Sequence, residues 1–160
     1  VGLGARDSTR TEAGFPLYGH ELAGPLDLTP GDAGFGRFVK AFKPFFVGRD
    51  PYVAHEADRK SAVVRFEITD ERVPMARQGD PATDSRGSWI GTVTSATRVA
   101  DGRQIGMAYV GNSHTRRRTE FRVFAGVAAR RPGRAQSPAE LGPGGRYALP
   151  AVATVISRFR

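Results

Sequence analysis

The stretch GLGARDSTR at residues 2–10 carries two arginines, Arg6 and Arg10, one helical turn apart, with Asp7 between them. A guanidinium is planar, always charged and matched in shape to a carboxylate, so an arginine held toward a cavity suits a carboxylate-bearing ligand. Two like charges at i and i+4 repel by about 0.2–0.5 kcal/mol on an exposed helix, and something must offset them. Spacing leaves two readings open. In one, Asp7 and solvent neutralise the pair, with Asp7 and Arg10 forming an ordinary i,i+3 ion pair. In the other, one arginine faces inward and meets a ligand.

No other spacing points as directly to chemistry. Gly2 and Gly4 match the first two positions of a dinucleotide-binding loop, but Asp7 stands where the third glycine belongs and no strand is read upstream. His20, His55 and His114 are far apart, lack metal-ligand spacing and read as surface histidines. Neither a Ser/His/Asp order nor an H-E-x-x-H helix is present. The chain has no cysteine, hence no thiolate nucleophile, thiolate metal site or disulfide framework, and a reducing, cytoplasmic setting is expected. Arg116, Arg117 and Arg118 fall at a hairpin turn, which suits either plain solvation or docking of an acidic partner.

The balance of 39% hydrophobic and 25% charged residues is that of a globular chain and excludes wholesale disorder. A net charge of +8 attracts polyanions and acidic partners without choosing among them. Binding of single-stranded nucleic acid would need aromatics beside arginines on one strand face. Phe121 and Phe124 flank Arg122, but strand alternation sends them to opposite faces, so no nucleic-acid partner is expected. No apolar run has the length of a membrane span, and no membrane partner is expected either.

The positioning elements follow from local signals. A helix ends near Ala13, stopped by Gly14 and Pro16. FPLYGHELAGPLDLTP is a Pro- and Gly-punctuated loop, after which Thr29 and Pro30 supply the cap and first position of a short helix ending at Gly34 or Gly36. Arg37 to Phe42 alternates loosely as a strand, and a second helix spans about 50–59. Beyond it, residues 61–68, 88–97, 103–111, 119–129 and 150–159 are rich in β-branched and aromatic residues and bounded by turn formers. Five or six short antiparallel strands at this spacing predict a small barrel with Trp89, Ile90, Val93, Ile105, Met107, Tyr109 and Val123 in its core. Residues 130–147, dense in Pro and Gly, read as a mobile insertion between the last two strands. The predicted class is α+β, with a tail over 1–48, a helical connector over 49–60 and a mainly antiparallel β-barrel over 61–160.

Five blocks in register, GLGARDSTRTEAGFPLYGHEL, TPGDAGFGRFVK, FVGRD, IGTVTSAT and IGMAYV, resemble the C-terminal half of the glycine cleavage system aminomethyltransferases, the T-protein family of the folate-binding one-carbon transfer superfamily. The resemblance covers nearly the whole chain, and LYGHEL leans toward the T-proteins within that superfamily. It implies a three-domain cloverleaf around a tetrahydrofolate channel, with residues 1–48 the tail of the folate-binding domain and the barrel the third leaf. On this reading the chain opens inside a helix because the N-terminal portion of the enzyme, which brings the catalytic aspartate and a pterin-holding glutamate, is missing. No residue here inherits a catalytic role, and the 160-residue chain alone is expected to be inactive.

The resemblance assigns Arg6 to the folate site and, more loosely, Phe159. It implies tetrahydrofolate as co-substrate and the acidic, lipoylated H-protein as partner. The implied reaction takes the aminomethyl group from the lipoyl arm to tetrahydrofolate and releases ammonia. Two alternatives share the fold: the folate-binding domain of a dimethylglycine or sarcosine dehydrogenase-like protein, and a non-catalytic folate-binding paralogue. Several positions depart from the family pattern. Thr9 and Thr11 stand where leucines are usual, the turn after Thr94 and Ser95 is rebuilt as ATRVADG, and the 130–147 segment is longer than usual.

Overall fold

The computed structural model describes residues 2–126 and 149–157. Helix α1 (Leu3–Ala13) is followed by a winding segment with two single 3-10 turns, Gly24–Leu26 and Gly36–Phe38, and then by α2 (Arg49–Asp58). Six strands come next: β1 (Ser61–Ile68), β2 (Pro81–Thr83), β3 (Trp89–Arg98), β4 (Gln104–Gly111), β5 (Glu120–Val123) and β6 (Ala151–Ile156). They close into a barrel in the order β1-β4-β3-β2-β5-β6 with every neighbouring pair antiparallel. The class is α+β with a small antiparallel barrel, as the strand spacing predicts. Residues 130–147 and Phe159 lie outside the described residues.

Alternation fills the barrel. Val64, Phe66 and Ile68 of β1 point inward to meet Val93, Ala108, Val110, Phe121, Val123, Ala153 and Val155. Phe66 and Phe121 pack edge to face at the centre, with ring centroids 5.6 Å apart. A second, smaller cluster lies on the outer wall, where Leu28 of the winding segment covers Val63, Met107 and the half-buried Tyr109. This covering is why β1 and β4 are buried on both faces along much of their length, as strands are when something packs on each side. Helix α1 lies against β3 and β4 on the same outer wall.

Three expectations change. Arg37 to Phe42 forms no strand: Gly36–Phe38 is a 3-10 turn, and Phe42 is left exposed. Ile105, Met107 and Tyr109 lie on the outer face of β4 rather than in the barrel interior. Trp89 is 70% exposed instead of buried. The cause is a register shift: Ala82 pairs with Gly91 and Thr83 with Trp89, so Ile90 is one residue too many in β3. The bulge turns Ile90 toward the core and Trp89 to solvent. Strand β2 is not legible in the sequence at all, since three residues, Pro81, Ala82 and Thr83, are too few to show a period.

Gly106 permits the central aromatic pair. A Cβ there would stand 2.5 Å from Phe66 Cζ and 2.7 Å from the Ser95 carbonyl oxygen. Gly106→Ala is therefore expected to cost about 1–3 kcal/mol through overpacking. Thermal denaturation should show a melting temperature lower by several degrees, and an unchanged melt would contradict this packing.

Candidate functional site

Helix α1 ends where the sequence says it should. Gly14 adopts a left-handed conformation at φ 80°, its N–H donates to the Thr11 carbonyl, and the Phe15 N–H donates to the Arg10 carbonyl. This paired closure leaves the chain free to turn back along the helix. At Leu17 it winds tightly: the Leu17 carbonyl accepts from His20, Glu21 and Leu22, while the Leu17 N–H donates to Glu21 Oε2 at 3.0 Å. The Glu21 carboxylate is thereby carried under α1, where it is fully buried.

Arg10 meets it there. Nη1 donates to Glu21 Oε2 at 2.6 Å and to the Phe15 carbonyl at 3.4 Å, Nε and Nη2 both donate to Asp7 Oδ1, and Nη2 donates to Ser95 Oγ at 2.7 Å. The Ser95 hydroxyl in turn donates to Glu21 Oε1. A guanidinium has five N–H groups, and all five of Arg10 are used. The expected Asp7–Arg10 pair exists, but Arg10 does more than close a surface ion pair: it neutralises a buried carboxylate and ties α1 to the barrel wall.

Arg6 stands on the opposite footing. It is exposed, and among the described residues no hydrogen bond or ion pair holds its guanidinium. Leu3, one turn back, is 82% exposed, and α1 begins at Gly2 with no side-chain cap and no acidic residue in its first turn. The first turn of the helix thus carries the positive end of its dipole and the Arg6 guanidinium, with no acidic residue beside them. It can receive a carboxylate without breaking any interaction shown here. Of the two arginines that spacing could not separate, one is structural and one is available.

The remaining candidates stay apart. His20 Nδ1 lies 3.4 Å from Ser95 Oγ, at the margin of the Arg10–Glu21 cluster, and His114 Nδ1 lies 2.9 Å from the hydroxyl of its neighbour Ser113. His55 is more than a surface histidine: Nε2 sits 2.8 Å from Oδ2 of the fully buried Asp32, whose carboxylate also accepts from the Thr29 N–H and hydroxyl. Thr29 Oγ1 accepts from the Asp32 N–H in return, a reciprocal cap over a single turn that stops at Gly34. Burial, and after it the negative charge on Asp32, pushes the Tyr109 hydroxyl above its ordinary pKa. This cluster fastens α2 to the winding segment. No group of three or more His, Asp or Glu side chains able to hold a metal occurs among the described residues. Arg116, Arg117 and Arg118 form an exposed turn, with Arg117 bordering a cleft of about 440 Å³ beside Arg65 and Arg103. No described helix is long and apolar enough to cross a membrane.

Glu21 and Ser95 were not legible as site residues. They lie 11 and 85 residues from Arg10 in the sequence. The one available signal was an acidic residue set in a loop without a neighbouring lysine or arginine. Thr11 shows the cost of its departure from leucine: it is fully buried, and its hydroxyl has no hydrogen-bond partner among the described residues.

Arg10→Ala would leave Glu21 buried and unpaired and is expected to cost about 3–5 kcal/mol in chemical denaturation. Arg6→Ala should stay within about 0.5 kcal/mol of the parent, as exposed substitutions usually do. Equal losses would contradict the division of labour. Thr11→Val removes an unsatisfied hydroxyl at nearly constant shape and should stabilise the chain by about 1 kcal/mol, seen as a higher denaturation midpoint.

No family model matches the chain. It is 42% identical over 126 residues to an aminomethyltransferase of Saccharopolyspora erythraea, covering 77% of this chain and 33% of that protein. It is 44% identical over 117 residues to an aminomethyltransferase of Streptomyces avermitilis, covering 71% of this chain and 31% of the relative. The crystal structure of the glycine cleavage system aminomethyltransferase T from Bartonella henselae superposes with a TM-score of 0.74 at 25% identity, covering 98% of this chain and 38% of that one. The chain spans about a third of the length of the curated relatives it matches. Over that part of their length the chain is similar to aminomethyltransferases in both sequence and fold.

Proposed function

We propose that the chain is the barrel-bearing part of a tetrahydrofolate-dependent aminomethyltransferase of the glycine cleavage system. The reaction moves the aminomethyl carbon from the lipoyl arm of the H-protein to tetrahydrofolate, giving methylenetetrahydrofolate and free ammonia. The relatives' activity supports this reading, and one observation in the chain carries it furthest: α1 presents one free guanidinium, Arg6, beside one that is fully engaged, Arg10.

Folate bears carboxylates, and a guanidinium can take one through two parallel N–H donors. In this role Arg6 holds the co-substrate and fixes its pose. Catalysis then rests on positioning and on charge aimed at the reacting centre, with no covalent nucleophile supplied by these residues. The chain's basic balance, net +8, favours encounter with an acidic H-protein. The catalytic aspartate belongs to a segment outside these residues, so the 160-residue polypeptide by itself is expected to form no methylenetetrahydrofolate.

The test is a chimera in which this chain replaces the matching third of the Saccharopolyspora erythraea aminomethyltransferase. It should release ammonia and form methylenetetrahydrofolate from lipoyl-bound aminomethyl groups. Within it, Arg6→Ala should weaken tetrahydrofolate binding in calorimetric titration by about 1.5–3 kcal/mol, the scale of a hydrogen bond to a charged group. Arg6→Lys should recover only part, because it keeps the charge and loses the fork. A folded chimera that binds tetrahydrofolate without turning over would point instead to a non-catalytic folate-binding paralogue, and one that binds none would overturn the proposal.

A further inference from the structure

Strict alternation along β3 would put Ser95 on the same face as Val93, inside the barrel. It is not there. Val93 pairs with Ala108 and Ser95 with Met107, so Thr94 is an extra residue opposite a single step of β4. The bulge reverses the alternation: Val93 and Ala96 face the core while Ser95 Oγ leaves the barrel and reaches Arg10 and Glu21. Thr94 is nearly fully buried, and its hydroxyl donates to the Met107 carbonyl at 3.1 Å, which holds the bulge in place.

We infer that this bulge makes Ser95 a positioning residue for Arg6, so that the barrel wall sets the pose of the ligand-facing arginine; the inference rests on the folate reading of Arg6. Ser95 is bonded to Arg10 and Glu21 rather than to Arg6. It acts through Arg10, which it fixes from one side while Asp7 and Glu21 hold the others. Arg6 and Arg10 are one turn apart on a rigid helix, separated by about 40° around its axis. Whatever fixes the rotation of α1 at Arg10 therefore fixes the direction of Arg6. At a side-chain radius of about 5–6 Å, a 20° roll of the helix displaces a side chain by about 2 Å. A misplacement of about 1 Å can cost a hundredfold in a positioned reaction, so this coupling is large enough to matter.

Ser95→Ala tests it in two settings. In the 160-residue chain, hydrogen exchange should show the α1 amides losing protection by about tenfold or more while β1, β4 and β5 amides stay unchanged. Unchanged α1 protection would overturn the coupling. In the chimera, Ser95→Ala should weaken tetrahydrofolate binding by about tenfold with Arg6 present and by much less once Arg6 is alanine, because both changes remove one interaction. Ser95→Thr, which keeps the hydroxyl, should restore part of the affinity. Additive losses from Ser95→Ala and Arg6→Ala would overturn the positioning role even if α1 loosens. If Arg6→Ala alone leaves folate affinity unchanged, the folate reading fails, and the exchange result still decides whether β3 sets the rotation of α1.

Discussion

A carboxylate with no access to water must be neutralised and hydrogen-bonded where it stands, since bringing an ion into the interior costs several kcal/mol before any partner is found. Glu21 is such a carboxylate, and its partners come from three separate places: the helix, its own loop and the barrel. The geometry around it follows from that demand. The loop after Gly14 must close tightly enough to bring Glu21 beneath α1. The helix must turn Arg10 toward the barrel. Strand β3 must break its alternation at Thr94 so that a hydroxyl reaches the pair. A buried ion pair of this kind is weak evidence for added stability against an apolar core of the same shape, but it specifies one arrangement, because every misalignment strands a charge.

The same demand separates two residues of identical chemistry. Arg10 is consumed by structure: with all five N–H groups engaged it has nothing to offer a ligand. Arg6 sits past the edge of the cluster and keeps its donors. Asp7 and Glu21 neutralise Arg10, which explains how like charges one turn apart are tolerated on a short helix. The Asp32 cluster plays the parallel part at the other end of the tail. Its carboxylate binds Thr29 and His55, and its main-chain carbonyl accepts from Val63 at the start of the barrel. Two buried acids, each with partners on separate elements, fasten the winding segment to the strands.

Much of this fold was readable because it depends on short-range pattern. Ser61–Ile68 emerges with the expected bounds, since β-branched and aromatic residues fill it and turn formers bound it. Helix α1 was legible from Gly14, where a left-handed φ is required. What escaped was long-range or irregular. The positions of Trp89 and Ser95 both depend on bulges, one at Ile90 and one at Thr94, and a single extra residue reverses an alternation that periodicity assumes to be unbroken. The segment after Gly36 alternates only loosely between apolar and polar residues, finds no strand to pair with, and turns instead. At the candidate site, spacing singled out Arg6 and Arg10 together without separating them, the family resemblance picked Arg6, and the Ser95 contact to Arg10 stayed hidden, since nothing in a sequence distance of 85 residues announces it.

The central claim is that Arg10 is locked and Arg6 is free. Nitrogen-15 NMR of the arginine Nε–H groups in the 160-residue chain, with solvent exchange measured near neutral pH, tests it most directly. The Arg10 Nε–H, bonded to Asp7 at 2.8 Å in a largely buried side chain, should give a resolved signal that exchanges slowly with water. The Arg6 signal should exchange at the rate of an exposed guanidinium and sharpen only when a carboxylate ligand is present. Fast exchange at Arg10 together with protection at Arg6 would contradict the account.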